Sequence, residues 1–535
     1  MWNLTSIPNS SRWFRTRCPG ARCIIVLGIA IPAIYGLSIL LGSPPAICIS
    51  ESTTRLSHPL TGDGRYIDYA VAMRQRYQGL ELVKLQDDPW FILTFPERNL
   101  AIPLNSRPPA YTDPWVALSG RYSEATLRQR WNQRLYVPFG QADDPELAKI
   151  ITNNSSWYDA FSTTKPVWPD IDFTQRHSDG TARIEGIGDA LGELHLEIIR
   201  RFAILGMLQV GDGRQEAAML TARTMLMVAN RDLHSPDSRS LRRSIGMMES
   251  AHDIIWAALL GSRDIRESDV LSILTMPVDT ELASTIVDRW DFFVRYDELD
   301  LLEEERRTRC SDSRLVWTGL TRSHLKERLF WRQVDWNSAM KSYNELVDAY
   351  IETLQVQSYR KRSIAQLNIY NSRLDFYEKH GSVNIDSFRK LLTEDMTALV
   401  IARFSYLYTY AKWSSELMCR DLNDRRRTHL VARLAAFRQA SGHFPEALAS
   451  LLDMKGLPDA PEDVTIDAFS DKPFKYERTG DGFLICSFGP DMEEDSIQLA
   501  TSRTKVMFDD IIWQWPLKES AAGRGSWGLK SWATR

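Results

Sequence analysis

The feature that most constrains this chain is an uncharged run near its start. Residues 24–41 read IIVLGIAIPAIYGLSILL, eighteen residues without a charge. At ~1.5 Å per residue, a helix of that length covers ~27 Å. A hydrocarbon core of ~30 Å is just within its reach. Pro32, Gly28 and Gly36 weaken such a helix in water, but membrane helices tolerate both residue types. Arg12, Arg15, Arg17 and Arg22 precede the run, and residues 1–50 hold no acid. By the positive-inside rule they keep residues 1–22 in the cytoplasm. The expected layout is a basic cytoplasmic tail (1–22) and one membrane pass (23–42), with residues 43–535 outside the cytoplasm, on the periplasmic side. A cleaved signal peptide is the alternative. Its apolar region is usually shorter, and residues 42–46 (GSPPA) offer a poor cleavage site.

The remaining chain reads as globular. Charged residues make up 25% and the formal charge is −4; the four N-terminal arginines leave −8 on residues 51–535. No basic excess advertises nucleic acid, and no nucleic-acid partner is expected. Of six cysteines, Cys18, Cys23 and Cys48 lie in or beside the apolar run and Cys310, Cys419 and Cys486 lie far apart; without a C-x-x-C this argues against a zinc ribbon or a disulfide scaffold and for buried free thiols, with one structural disulfide as the alternative.

Residues 43–185 are irregular and mixed. Prolines at 89, 96, 103, 108, 109, 114 and 138 break long helices, and residues 80–95 suggest short strands around a turn. From 186 to 427 the pattern becomes helical. Leu191, Leu194, Ile198, Phe202, Leu205 and Leu208 recur at three- and four-residue steps. The turn at 211–213 (GDG) and the small-residue face of 215–230 then predict an αα-hairpin. Further helices are expected over 241–260, 268–274, 281–306, 338–355, 363–379 and from 386 to about 440. The runs EEERRTR (303–309) and NDRRR (423–427) read as solvated helix faces with i,i+4 ion pairs. The fold class expected is therefore mainly α with α+β parts.

Residues 428–516 carry one specific pattern. LVARLAAFRQASGHFPEALASLL (430–452) ends a helix at Gly442. DAFSDKPFKY (467–476), GFLICSFGPD (482–491) and DDIIW (509–513) follow. The order resembles the head of the type II secretion major pseudopilin: a helix, G-x-Y-P, a D-P-W-G-x-P-Y-x-Y turn and strand, a G-x-Y-x-L-x-S-x-G-x-D-G strand, and an acidic end. The resemblance implies a helix packed on an antiparallel sheet, with Phe474, Tyr476, Phe483 and Ile485 facing the helix. It also implies a calcium site built from Asp491, Glu493, Glu494, Asp495, Asp509 and Asp510, since clustered carboxylates suit that hard cation. About 390 residues separate the apolar run from this module, so the chain is not itself a pilus subunit. The whole layout, with GDGRYIDYAVAM at 62–73, resembles bacterial membrane-anchored envelope proteins that carry such a head. Residues 517–535 are expected to form a flexible tail.

Catalytic signatures are sparse. No phosphate loop, G-x-S-x-G or H-E-x-x-H occurs. Ser338 and Lys341 fit S-x-x-K without a K-T-G partner. Glu249 and His252 fit half of a di-iron motif, but His252 shares a helical face with Ile245, Met248, Ile255 and Leu259. That placement predicts a core histidine held by a hydrogen bond. The expected function is a non-enzymatic scaffold or binding protein of the cell envelope, with envelope proteins as partners. The alternative is an extracytoplasmic hydrolase acting on envelope polymer, which needs two carboxylates facing each other across a cleft.

Overall fold

The computed structural model describes residues 47–58, 60, 67–76, 82–83, 134–135, 137–154, 158, 168–169, 199–233, 238–262, 265–276, 282–296, 299, 302–303, 306, 335–380, 406–492 and 511–516. These residues form a mainly helical body closed at one end by a small antiparallel sheet. No helix among them is long and apolar enough to cross a membrane. The apolar run 24–41, and with it the expected transmembrane helix, lies outside the described residues.

The body opens with α1 (Tyr69–Arg76) and α2 (Pro145–Asn153). Asp144 caps α2 by accepting from the Leu147 amide, and Pro145 fits the first turn, where no amide donor is needed. Of the strands expected near residues 80–95, Leu82–Val83 (β1) is present, paired parallel with Trp168–Pro169 (β2). The hairpin predicted around residue 212 is present: α3 (199–211) turns into α4 (Gln215–Leu233). Gly213 takes the left-handed conformation at φ 72° that such a turn needs. Thr221 Oγ1 donates to Gln209 Oε1 across the hairpin at 2.8 Å. On α3, Gly206 gives room to Ile254 of the next helix; a Cβ there would sit 2.5 Å from the Ile254 side chain.

That next helix, α5 (Ser238–Gly261), packs along α4 and along the last helix of the body. Short helices α6 (Glu267–Leu274) and α7 (Leu282–Arg289) follow, the latter running into a π turn, Trp290–Val294. Then come α8 (Trp336–Leu354), α9 (Tyr359–His380) and α10 (Tyr406–Ser441). Gly442 ends α10 at φ 78°, its amide donating to the Arg438 carbonyl at 2.8 Å.

Residues 47–55 lie along α8 in the same direction as the helix. Cys48 N donates to Asn337 Oδ1 at 2.7 Å, and Asn344 Nδ2 donates to the Ser52 and Thr53 carbonyls. Arg55 pairs with Asp348. The stretch nearest the apolar run is therefore strapped to the body.

After α10 come a 3-10 turn (Leu448–Leu451) and three antiparallel strands in the order β3 (Lys475–Thr479), β4 (Gly482–Ser487), β5 (Ile511–Trp515). Phe474, Phe483 and Ile485 are buried against the helix as expected, while Tyr476 is half-buried with its hydroxyl donating to the Pro445 carbonyl at 2.8 Å. Leu430, Leu434, Phe444, Leu451, Phe483 and Trp513 belong to the same apolar cluster as α3, α4 and α5. Sheet and body thus share one core.

Both charge-rich runs correct the sequence reading. Glu303 and Arg306 form a buried pair, Arg306 Nε to Glu303 Oε2 at 2.9 Å, with Arg306 0% exposed. Asn423, Asp424, Arg426 and Arg427 are all buried. Arg425 alone keeps the expected pattern, pairing with Asp421 four residues back at 3.1 Å. The physical reason is that α10 is covered by α5, α9 and the loop before β3 at once. A polar helix face with three neighbours is matched by their polar groups instead of by water.

Candidate functional site: a cleft between the helical body and the sheet

A cleft of about 1120 Å³ opens where the C-terminal end of α8, the start of α9, α7, the middle of α10 and the loop before β3 converge. The loop's position is set by Asp467, which is 0% exposed. Its carboxylate accepts from Asn423 Nδ2 at 2.7 Å, Ser487 Oγ at 2.6 Å, Ser470 Oγ at 2.6 Å and Ser470 N at 3.0 Å, with the Phe488 amide at 3.3 Å. Helix, loop and β4 are tied at one point. This is the first Asp of the DAFSDKP segment, and its role here is structural.

Four carboxylates line the cleft: Asp288, Asp291, Asp463 and Asp471. Asp463 pairs with Arg426, Asp291 pairs with Arg295 at 2.9 Å, and Asp471 accepts from Ser358 Oγ at 2.6 Å. Asp288 is engaged as well. Cys419 lies in the wall between Arg362 Nη2, at 3.3 Å, and the Ala468 carbonyl, at 3.5 Å. Burial first, and then the charges of Asp467 and Asp471, push its thiol up to about 12 against the opposing pull of Arg362. A thiol held protonated is no nucleophile.

The carboxylates with raised pKa values lie elsewhere, between α5 and α10. Burial, with Asp424 and Asp253 nearby, lifts Glu249 to about 8. Burial, with Asp253 and Asp421 nearby, lifts Asp424 to about 7. Burial also raises Asp253, although Arg427 Nη2 lies 3.0 Å from its Oδ1. Arg427 reaches Asp424 at 3.4 Å as well, and it stacks over the Trp256 and Trp513 rings. His252 is buried here, as its helical face predicted. The Thr428 hydroxyl donates to the Asp424 carbonyl at 2.7 Å and accepts from His252 Nδ1 at 2.8 Å, while Nε2 has no partner. Burial, then Arg425 and Arg427, keep the imidazole neutral by lowering its pKa well below the usual value.

Other sequence candidates separate. Asp335 caps α8, accepting from the Ser338 amide at 3.1 Å and from its Oγ at 2.7 Å, while Lys341 lies exposed toward Glu345 at 4.0 Å. Ser338 and Lys341 form no dyad. Of the acidic loop, Asp491 sits exposed on the turn after β4; Glu493, Glu494, Asp495, Asp509 and Asp510 lie outside the described residues. Among the described residues no group of three or more His, Cys, Asp or Glu could hold a metal ion. Cys419 and Cys486 are buried free thiols and Cys48 is an exposed one. The sequence reading missed the cleft itself, because Arg362, Cys419, Asp463 and Asp471 carry no common spacing. No family model, curated protein or solved structure matches the chain.

Proposed function

We propose that this chain is a membrane-anchored extracytoplasmic protein of the cell envelope, acting as a non-enzymatic binding or scaffold protein. Residues 23–42 serve as its anchor, and the pseudopilin-like residues 428–516 complete its binding face. The observation that carries this reading is the cleft, whose carboxylates are committed to partners and whose thiol is protonated. That chemistry suits recognition better than the general acid and base of the hydrolase alternative.

The strapped segment supports the anchoring. Five residues separate Leu41 from Ile47, a span of at most about 22 Å. The N-terminal end of α8 is therefore held close to the bilayer. The cleft lies at the other end of α8, about 25 Å further along the helix. Its ligand comes from the aqueous side.

Crosslinking in intact cells, followed by purification of the full chain, tests the reading. Recovery of envelope proteins, together with retention in membranes through alkaline carbonate, is the expected result. A reporter fused after Arg535 should be active only outside the cytoplasm. Release by carbonate, or a reporter active only inside, overturns the anchor. Turnover of an envelope polymer by the purified chain overturns the non-enzymatic assignment.

A further inference from the structure

Arg362 is 3% exposed and meets no carboxylate among the described residues. Its Nη1 reaches the Leu354 carbonyl and Met418 Sδ, each at 3.5 Å; its Nη2 reaches Cys419 Sγ at 3.3 Å; its Nε has no partner. A carbonyl at the outer limit of bonding, two sulfurs and the Tyr359 ring, 6.0 Å from the guanidinium carbon, offset only part of the cost of desolvating a guanidinium. One turn earlier, the buried Tyr359 hydroxyl also lacks a partner. Both groups can donate, and Arg362 lines the cleft. Buried donors without acceptors are rare in native proteins and point to a group that completes them. Helix α9 starts beside them, so its positive end favours an anion at the same place.

The cleft wall narrows the choice of anion. Four carboxylates stand there against the guanidiniums of Arg362 and Arg426 and of Arg295, which pairs with Asp291 from behind, so one negative charge is left in excess. A doubly charged phosphate would meet a wall with an excess of its own sign. A single carboxylate carried on a chain of amides and amino groups would not. A volume of about 1120 Å³ accommodates several residues, not one small ion. We propose that the cleft binds the C-terminal end of an extended peptide, its terminal carboxylate on Arg362 and its amino groups along the aspartate wall. This deepens the binding-protein reading and rests on it.

Calorimetric titration of the full chain in detergent tests the site. The probes are trialanine and Lys-Ala-Ala, each as free acid and as C-terminal amide, with acetate and inorganic phosphate alongside. The free acids should saturate, with Lys-Ala-Ala the tighter. Amidation should weaken binding about tenfold or more, as expected for a charge-assisted hydrogen bond. Arg362→Gln should abolish the difference between acid and amide, and Arg362→Lys should keep part of it. Arg266→Gln, at a separate opening beside α4, should change nothing. The acid–amide comparison needs no variant, so it stands even if Arg362→Gln fails to fold. Equal affinity for acid and amide, no saturation by any peptide at millimolar concentration, or phosphate binding tighter than the peptides overturns the proposal. Failure here with envelope partners still captured by crosslinking sinks the cleft assignment alone. Absence of crosslinked partners sinks the scaffold reading instead.

Discussion

Asp467 and Glu249 are both carboxylates packed against α10, and they are accommodated in opposite ways. Asp467 is surrounded by donors: the Asn423 amide, the Ser470 and Ser487 hydroxyls and three backbone amides aim at its oxygens. Glu249 is surrounded by other acids, with Asp424 and Asp253 outweighing the pull of Arg420 and Arg427. The first arrangement gives a carboxylate's oxygens hydrogen-bond partners in a dry site. The second leaves burial and repulsion in charge, and the carboxyl takes up a proton. Both acids lie against the same helix; what differs is what their neighbours offer, donors around Asp467 and further acids around Glu249.

The largest test removes the hub. Asp467→Ala strands the Asn423, Ser470 and Ser487 donors together, and the expected loss is about 3–5 kcal/mol of folding stability. Asp467→Asn should cost less, because the shape and one acceptor oxygen remain. Denaturant melts of the full chain measure both. Equal losses would mean that the negative charge contributes nothing and that only the cavity matters.

Second in size is Arg427→Met, which removes the cation shared by Asp253 and Asp424 and the charge stacked over two indoles. The expected loss is about 2–4 kcal/mol at pH 8, where an uncompensated buried carboxylate is most costly. At pH 5 the loss should shrink, since both carboxyls already have raised pKa values and losing the arginine raises them further. A loss independent of pH would assign the effect to stacking alone.

Thr428→Val is milder. It removes the His252 Nδ1 contact and the bond to the Asp424 carbonyl, for an expected loss of about 1 kcal/mol. Because His252 is held neutral, that loss should be the same at pH 6 and pH 8. A loss that grows as pH falls would show a charged imidazole.

How much of this could be read from the sequence divides along the same line. Periodicity placed the helices well: 241–260 was expected and Ser238–Gly261 observed, 338–355 expected and Trp336–Leu354 observed. The faces of Phe474, Phe483 and Ile485 followed from alternation, and the histidine on an apolar stripe was buried as predicted. The charged runs misled, because a local pattern of Asp and Arg looks the same whether water or another helix answers it. Asn423 is the clearest case. Nothing within NDRRR says that its amide will reach Asp467, 44 residues on, and Ser487, 64 residues on. The cleft was invisible for the same reason, since its walls come from four separate segments. The calcium residues remain where the sequence left them, because all but Asp491 fall outside the described residues.

The smallest effect sharpens the comparison most. Burial lifts Glu249 to about 8 from an ordinary 4.5. Between those values the folded chain holds a proton that the unfolded chain has released, so this group's contribution to stability falls as pH rises through that window. The effect is opposite in sign to that of a carboxylate stabilised by donors. Glu249→Gln fixes the neutral form. At pH 4.5 or below it should melt with the parent chain. By pH 8 it should melt at a higher temperature, because the unfolded parent gains by releasing a proton that the folded parent holds among Asp253 and Asp424. The gain is kept modest by the part of Glu249 that still reaches solvent, which screens the repulsion. Thermal melts at fixed ionic strength across pH 4.5–8.5 measure it. If the variant is less stable than the parent at pH 8, then Arg420 and Arg427 outweigh the two aspartates, and Glu249 is held ionised by its surroundings instead.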